Sequence, residues 1–312
     1  MENNPFSVAG IGVYIPESRL DNTARAERFD YDPASLRDKI GVLQTARKAP
    51  GEETSDLCVK ALENLTHKMG DALDLAEIDL IVVVTQHPDG CGLPHTSAIL
   101  HGKLNMPKTC FAFDISLGCS GYVSALATVS GHLMAIGGQS ALLFTADPYS
   151  KSLSEGDKNT SMIFGDAATV TLITPGNSWK IGRFDSGTIG QKADALERDT
   201  EGVLRMNGRA VFNFCALNVP PSIHRVLALN CVEMSDIDSF ALHPGSKYIV
   251  DTISKRLGLP KPESLACAEY GNTVSSSIPI ILNGLERLQN RRIIVSGFGV
   301  GLGWASCLLY SE

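Results

Sequence analysis

Phe113-Asp114-Ile115-Ser116-Leu117-Gly118-Cys119-Ser120-Gly121-Tyr122 is the stretch that decides how this chain is read. An apolar run ends at a Gly-Cys-Ser-Gly corner, and a small-residue helical pattern follows from Tyr122 to about Gly137. A strand that turns through such a corner into a helix is one βα step, and it leaves a cysteine at the start of the helix. The unpaired N–H groups and the positive end of the helix dipole there favour thiolate over thiol. The thiolate is the nucleophilic form, so Cys119 is the first candidate for covalent chemistry. The competing role for a free cysteine is that of a small buried hydrophobe.

Outward from this corner, strand-like and helix-like segments alternate, which is the pattern of an α/β architecture. Strands are predicted over residues 7–13, 80–85, 111–115, 140–146, 167–173, 239–242, 292–296 and 304–309. Helices are predicted over 54–70, 97–104, 122–137, 248–257 and 278–289, with 222–229 part of another. Leu80–Thr85 reads as a fully buried strand, apolar on both faces, as a strand covered on both sides must be. The order then repeats at a nearly constant offset. Ile78-Asp79-Leu80 and His87-Pro88 match Ile237-Asp238-Ser239 and His243-Pro244, Gly118-Cys119 matches Gly271-Asn272, and the 141–145 strand matches 293–297. Two similar halves, 1–174 and 175–312, are expected to meet near Thr174-Pro175-Gly176-Asn177-Ser178. The polar segment 183–208 reads as an excursion over the site.

In this scheme Cys119 and Asn272 occupy equivalent corners, and His243 follows the buried strand that matches 80–85. Ligands of open α/β sheets bind beyond the carboxyl ends of strands, so the three can converge. Other patterns carry less. His87, Cys91, His95 and His101 lack a standard zinc spacing, and Pro88 and Pro94 break any helix between them; no metal is expected. Gly299-Val300-Gly301-Leu302-Gly303 is followed by a strand-like segment, not the helix of a dinucleotide fold. It reads as a hairpin loop whose glycines let backbone approach a substrate. Lys247, Lys255 and Arg256 form a basic patch suited to an acidic partner or a phosphate.

The 312 residues are 44% hydrophobic, ample for a large core, and the formal net charge of −7 argues against nucleic acid as a partner. No apolar run approaches the ~18 residues of a membrane span, and the first residues lack the pattern of a secretion signal. The eight scattered cysteines read as reduced thiols, which together points to the cytoplasm.

The residues quoted so far, with four further stretches, resemble the β-ketoacyl-acyl-carrier-protein synthase III group of the thiolase superfamily along nearly the whole chain. The further stretches are Val8-Ala9-Gly10-Ile11-Gly12-Val13-Tyr14-Ile15-Pro16, Met162-Ile163-Phe164-Gly165-Asp166-Ala167-Ala168, Tyr270-Gly271-Asn272-Thr273 and Gly297–Trp304. The resemblance implies a five-layered αβαβα fold of two duplicated halves, assembled as a homodimer. It implies acyl-coenzyme A and acyl carrier protein as partners, with the coenzyme A thioester a substrate and no resident cofactor. It implies Cys119 as nucleophile, His243 and Asn272 as activators of the second substrate, and an oxyanion hole from the backbone of Cys119 and Val300. Substrate contacts fall on Lys39, Leu93, Lys158, Phe212 and Phe298, with Leu93 reaching across the dimer. Carrier docking falls on Lys247, Lys255 and Arg256. The chain departs from the family pattern at Pro244-Gly245-Ser246 after the histidine, at Lys39-Ile40-Gly41-Val42 near the coenzyme A entrance, at Asn213 and at Tyr248.

The implied reaction is acylation of Cys119 from a thioester followed by decarboxylative condensation with a malonyl thioester, giving a 3-oxoacyl product. Transfer of the acyl group to an amine or hydroxyl, with His243 as general base, is the alternative at this point.

Overall fold

Every residue of Leu80–Val84 is fully shielded from solvent, and alternate side chains serve different cores. Leu80, Val82 and Val84 enter one apolar cluster, while Ile81 and Val83 enter another on the opposite face, as the two-residue period of a strand requires. The computed structural model describes residues 4–32, 34, 36–259, 267–285 and 291–311. The first half runs β1 (Phe6–Tyr14), β2 (Arg19–Asp21), α1 (Asn22–Arg28), β3 (Gln44–Ala46), α2 (Thr54–Met69), β4 (Leu80–Val84), α3 (Thr96–Lys103), β5 (Phe111–Ile115), α4 (Gly121–Ile136), β6 (Ala141–Ala146), α5 (Lys158–Ser161) and β7 (Ala168–Pro175). The second runs β8 (Trp179–Thr188), β9 (Leu196–Arg198), β10 (Leu204–Met206), α6 (Gly208–Asn230), β11 (Ser239–Leu242), α7 (Lys247–Leu257), α8 (Ser277–Gly284), β12 (Arg292–Gly299) and β13 (Gly303–Tyr310).

Among the described residues the main strands form one nine-stranded ladder in the order β11-β12-β13-β8-β1-β7-β6-β4-β5. The pairs β4–β5, β4–β6 and β11–β12 are parallel and the rest antiparallel. The halves touch in this ladder at Ser7–Lys180 and Val8–Trp179. Around the strands lie the outer layers. Leu57 and Leu65 of α2 pack with Ile81, Phe144 and Val170. Phe214 and Ile223 of α6 and Ile253 of α7 pack with Phe240, Ile294 and Leu308. Between the halves, Val123, Leu126 and Leu133 of α4 and Ile278 and Leu282 of α8 share a cluster with Val82, Val84, Ile293 and Val295. The result is the five-layered αβαβα thiolase arrangement, with α4 and α8 as its equivalent central helices.

The structure departs from the sequence reading in places. Residues 183–188 belong to β8, so the excursion begins only after Thr188. Strand β8 hid because none of its residues 182–188 is buried, so no apolar face marks it in the sequence. Helix α6 begins at Gly208 and runs through Pro220 and Pro221, where proline would ordinarily signal a boundary; packing of Phe214, Val219 and Ile223 on β8 and β13 outweighs the missing N–H donors. The described part of α8 ends at Gly284, with Leu285 as its cap; residues 286–289 of the predicted helix lie outside the described residues.

Candidate active site

The corner that opened the sequence reading brings the sulfur to the end of the central helix. Ser120 caps α4 and Gly121 is its first residue. A Cβ at Gly121 would lie 2.5 Å from Val84 Cγ1, so glycine is what lets this helix start close against β4. From the other half, the β12–β13 hairpin presses onto the cysteine: a Cβ at Gly299 would lie 2.7 Å from Cys119 Sγ. The glycine run is thus a hairpin loop, as read from the sequence, and its role is close approach.

Cys119 is 3% exposed. Its environment corrects one sequence expectation. Burial pushes the thiol up to about 12, against which the hydrogen bonds from the Val300 and Cys119 backbone N–H groups act only in part. Desolvation thus acts more strongly on this thiol than the two amides do, and the Asp147 carboxylate adds to it. The two amides that reach it are the pair singled out as an oxyanion hole.

His243 follows β11 and is anchored by its own N–H, which donates to Ser296 O at 2.9 Å. Its ring stands edge-on to Phe298, centroids 5.6 Å apart. Burial pushes the imidazole down to about 3, so it is neutral across the ordinary pH range. Asn272 sits on a loop clasped by the first half. Its N–H donates to Ile163 O at 2.8 Å, and Gly165 N–H donates to Asn272 O at 2.9 Å. A Cβ at Gly165 would lie 1.9 Å from Tyr270 O, so the Phe164-Gly165 motif exists to let this clasp close. The Asn272 side chain reaches back to the histidine, Nδ2 to Nε2 at 3.3 Å.

Cys119, His243, Asn272 and Phe298 line one cavity of about 210 Å³, with Phe212 and Lys39 also on its wall. The excursion supplies Leu196 and Met206 to the same wall. Other predicted residues lie elsewhere. Lys158 stands over the Tyr31 ring at 5.7 Å, away from the cavity wall. Leu93 is 93% exposed. Of the three cations of the basic patch, Lys247 pairs with Asp251 and Arg256 donates to Ala216 O on α6, while Lys255 is exposed in the last turn of α7. His87, His95 and His101 each meet a different partner, namely Ser152 Oγ, Ala112 O and Pro107 O.

Sequence reading missed the supports of the site. Asp147, fully buried after β6, accepts Gln86 N–H at 2.7 Å and the Ser275 hydroxyl at 2.6 Å, joining the loop after β4 to the Asn272 loop. Burial pushes its carboxyl up to about 6. Ser277 meets the other ring nitrogen of His243 at 2.7 Å. An aspartate and a serine in turn-like sequence carry no periodic signal; only their position one strand end away from candidate residues could have drawn attention.

Chemically, a thiol beneath two amides, beside a neutral imidazole and a carboxamide in an apolar cavity, can exchange a thioester and stabilise a second developing oxyanion. Comparison with known proteins bears on this directly. Residues 113–190 match the family described as 3-Oxoacyl-[acyl-carrier-protein (ACP)] synthase III, and residues 227–311 its C-terminal part. The chain is 30% identical to a beta-ketoacyl-[acyl-carrier-protein] synthase III of Lactococcus lactis subsp. cremoris, over 95% of this chain and 96% of that one. It is 29% identical to the protein of that name from Streptococcus sanguinis, over 98% and 99%. The crystal structure of 3-oxoacyl-(acyl carrier protein) synthase III from Pseudomonas aeruginosa superposes with a TM-score of 0.88 at 30% identity, covering 98% of each chain.

Proposed function

We propose, from the premise that this chain belongs to the 3-oxoacyl-[acyl-carrier-protein] synthase III family, that Cys119 is the residue on which its acyl group is carried. The enzyme condenses an acyl thioester with malonyl-acyl carrier protein, which sets aside transfer to an amine or hydroxyl. The observation that supports the assignment of roles is the single cavity shared by Cys119, His243 and Asn272, with the Val300 and Cys119 amides on the sulfur.

In the first half-reaction the Cys119 sulfur attacks the thioester carbonyl carbon. The tetrahedral oxygen takes hydrogen bonds from the Cys119 and Val300 N–H groups, the old C–S bond breaks, and the thiol proton leaves with the departing thiol. Splitting the reaction through an acyl-enzyme replaces one hard step by two easier ones. In the second, the malonyl carboxylate departs as carbon dioxide and its bonding electrons form an enolate. Asn272 Nδ2 and His243 Nε2 donate to the enolate oxygen, each worth about 3 kcal/mol. The enolate carbon attacks the acyl carbon, a C–C bond forms, and the Cys119 sulfur is released and reprotonated. The test is intact mass after mixing with acyl-coenzyme A donors, followed by malonyl-carrier and measurement of carbon dioxide. Acylation that persists in Cys119→Ala, or product formation without carbon dioxide, refutes it.

The donor reaches Cys119 past Lys39 and the stacked rings of Phe212 and Tyr248, whose centroids are 4.9 Å apart. Its carrier is coenzyme A, and acyl carrier protein docks on α7 at Lys247, Lys255 and Arg256. The enzyme is a homodimer. Strand β5 is one of the two edges of the ladder among the described residues, with Phe111 exposed on it and Met134 and Leu93 exposed as well; an open apolar edge is a template for pairing with a second copy.

A further inference from the structure

The Asn272 carboxamide is fixed in one orientation. Its Oδ1 accepts the Val274 N–H at 2.9 Å, which leaves Nδ2 facing His243 Nε2. The other ring nitrogen, Nδ1, lies 2.7 Å from Ser277 Oγ, and that oxygen also lies 2.7 Å from Val274 O. His243, Asn272 and Ser277 are all buried.

The single hydroxyl proton of Ser277 has two acceptors to choose from. Donated to Val274 O, it leaves the hydroxyl oxygen to accept His243 Nδ1–H. Nε2 then keeps its lone pair and accepts from Asn272 Nδ2. Four hydrogen bonds close a ring that begins and ends on the N–H and C=O of Val274. Donated instead to Nδ1, the hydroxyl proton forces the imidazole proton onto Nε2. His243 and Asn272 then present two N–H groups side by side, converging on the place of one oxygen. A neutral imidazole holds one N–H, so the two arrangements exclude each other. Val274 itself, β-branched, sits at φ +54, in the left-handed region such residues avoid. Strain of this kind persists where surrounding structure imposes it, and here it lies on the residue whose N–H and C=O both serve the ring.

We propose that Ser277 is a positioning residue that selects the tautomer of His243. In the free protein its hydroxyl turns to Val274 O, and the closed ring gives the Ser277 hydroxyl and the imidazole N–H each an acceptor. With a malonyl thioester carbonyl in place it turns to Nδ1, and His243 becomes a donor. The ring loses one proton at Nδ1 and gains one at Nε2 by exchange, with no net transfer. This rests on the reading of His243 and Asn272 as donors to the malonyl carbonyl.

The test is nuclear magnetic resonance of the full chain labelled with ¹⁵N-histidine, which separates protonated from unprotonated ring nitrogens. The free protein is expected to show His243 protonated at Nδ1. The acylated protein with an amide analogue of malonyl-pantetheine is expected to show it protonated at Nε2. Ser277→Ala should leave acylation of Cys119 near the wild-type rate and slow malonyl decarboxylation about tenfold, the worth of one hydrogen bond. Ser277→Thr, which keeps the hydroxyl, should restore it. An Nε2 proton already present in the free protein, or equal losses in both half-reactions of Ser277→Ala, overturns the inference. If that variant does not fold, the wild-type spectra decide alone. Failure of the wild type to decarboxylate any malonyl thioester would instead sink the condensation reading, whatever tautomer the free protein shows.

Discussion

Alanine at position 299 would place a methyl carbon 2.7 Å from Cys119 Sγ and 2.9 Å from its Cβ. Non-bonded carbons rest about 3.5–4.0 Å apart, so cysteine and hairpin must separate by about 1 Å. Gly299 also holds a φ of +156, where a side chain is strained. Overpacking of this order costs about 1–3 kcal/mol of stability. The larger effect is kinetic. Val300, the next residue, brings its N–H to the sulfur. A displacement of about 1 Å from productive geometry costs roughly 10²-fold in rate, and loss of one oxyanion donor about 10²–10³-fold. Gly299→Ala should therefore fold, melt somewhat earlier, and acylate Cys119 at least about a hundredfold more slowly. The measurement is the mass of the acylated chain against time, with thermal melting in parallel. Gly297→Ala is the contrast: its methyl would meet Cys119 O at 2.4 Å and Ser120 Cα at 2.9 Å. These are backbone atoms that cannot swing aside, so stability falls further. A Gly299→Ala protein that acylates within a few-fold of wild type would refute the idea that this loop holds the nucleophile in register.

Cys119→Ala should yield no acyl-enzyme with any thioester donor, read by intact mass. His243→Ala should slow condensation far more than acylation, and the wild-type condensation rate should show no inflection near pH 6.5, because burial keeps the imidazole neutral down to about 3. Asp147 gives a stability prediction. Its folded carboxyl sits at about 6 against an ordinary 3.8, so between these values the folded chain holds a proton that the unfolded chain has released. The contribution of this one carboxyl is complete below pH 4 and is lost, by up to about 3 kcal/mol, as pH rises from about 4 through 6; melting against pH in Asp147→Asn should lack this component. Phe111→Glu, placing a charge on the open edge of β5, should give a monomer by light scattering if two copies pair there.

How much of this was legible in the chain follows from where the signal lies. Leu80–Val84, buried on both faces, and the Gly-Cys-Ser-Gly corner are local patterns, and both stand where they were read. So do Asn272 and His243, whose equivalence to first-half positions came from the repeat. Strand β8 was illegible because beyond Ile181 none of its residues is buried, and the start of α6 because Pro220 and Pro221 speak louder than the packing that overrides them. The surroundings of Cys119 divide in the same way: the helix terminus can be seen in sequence, while the depth of burial that pushes its thiol up cannot. Ser277 and Asp147 act through geometry between distant loops, and nothing in their neighbours announces it.

The clasp between the Phe164-Gly165 segment and the Asn272 loop places the working centre on the seam of the repeat. Two identical halves meeting there as separate molecules would be bound by symmetry to offer the same side chain twice. Joined in one polypeptide, each corner is free to diverge, and one has settled on sulfur while the other has settled on a carboxamide.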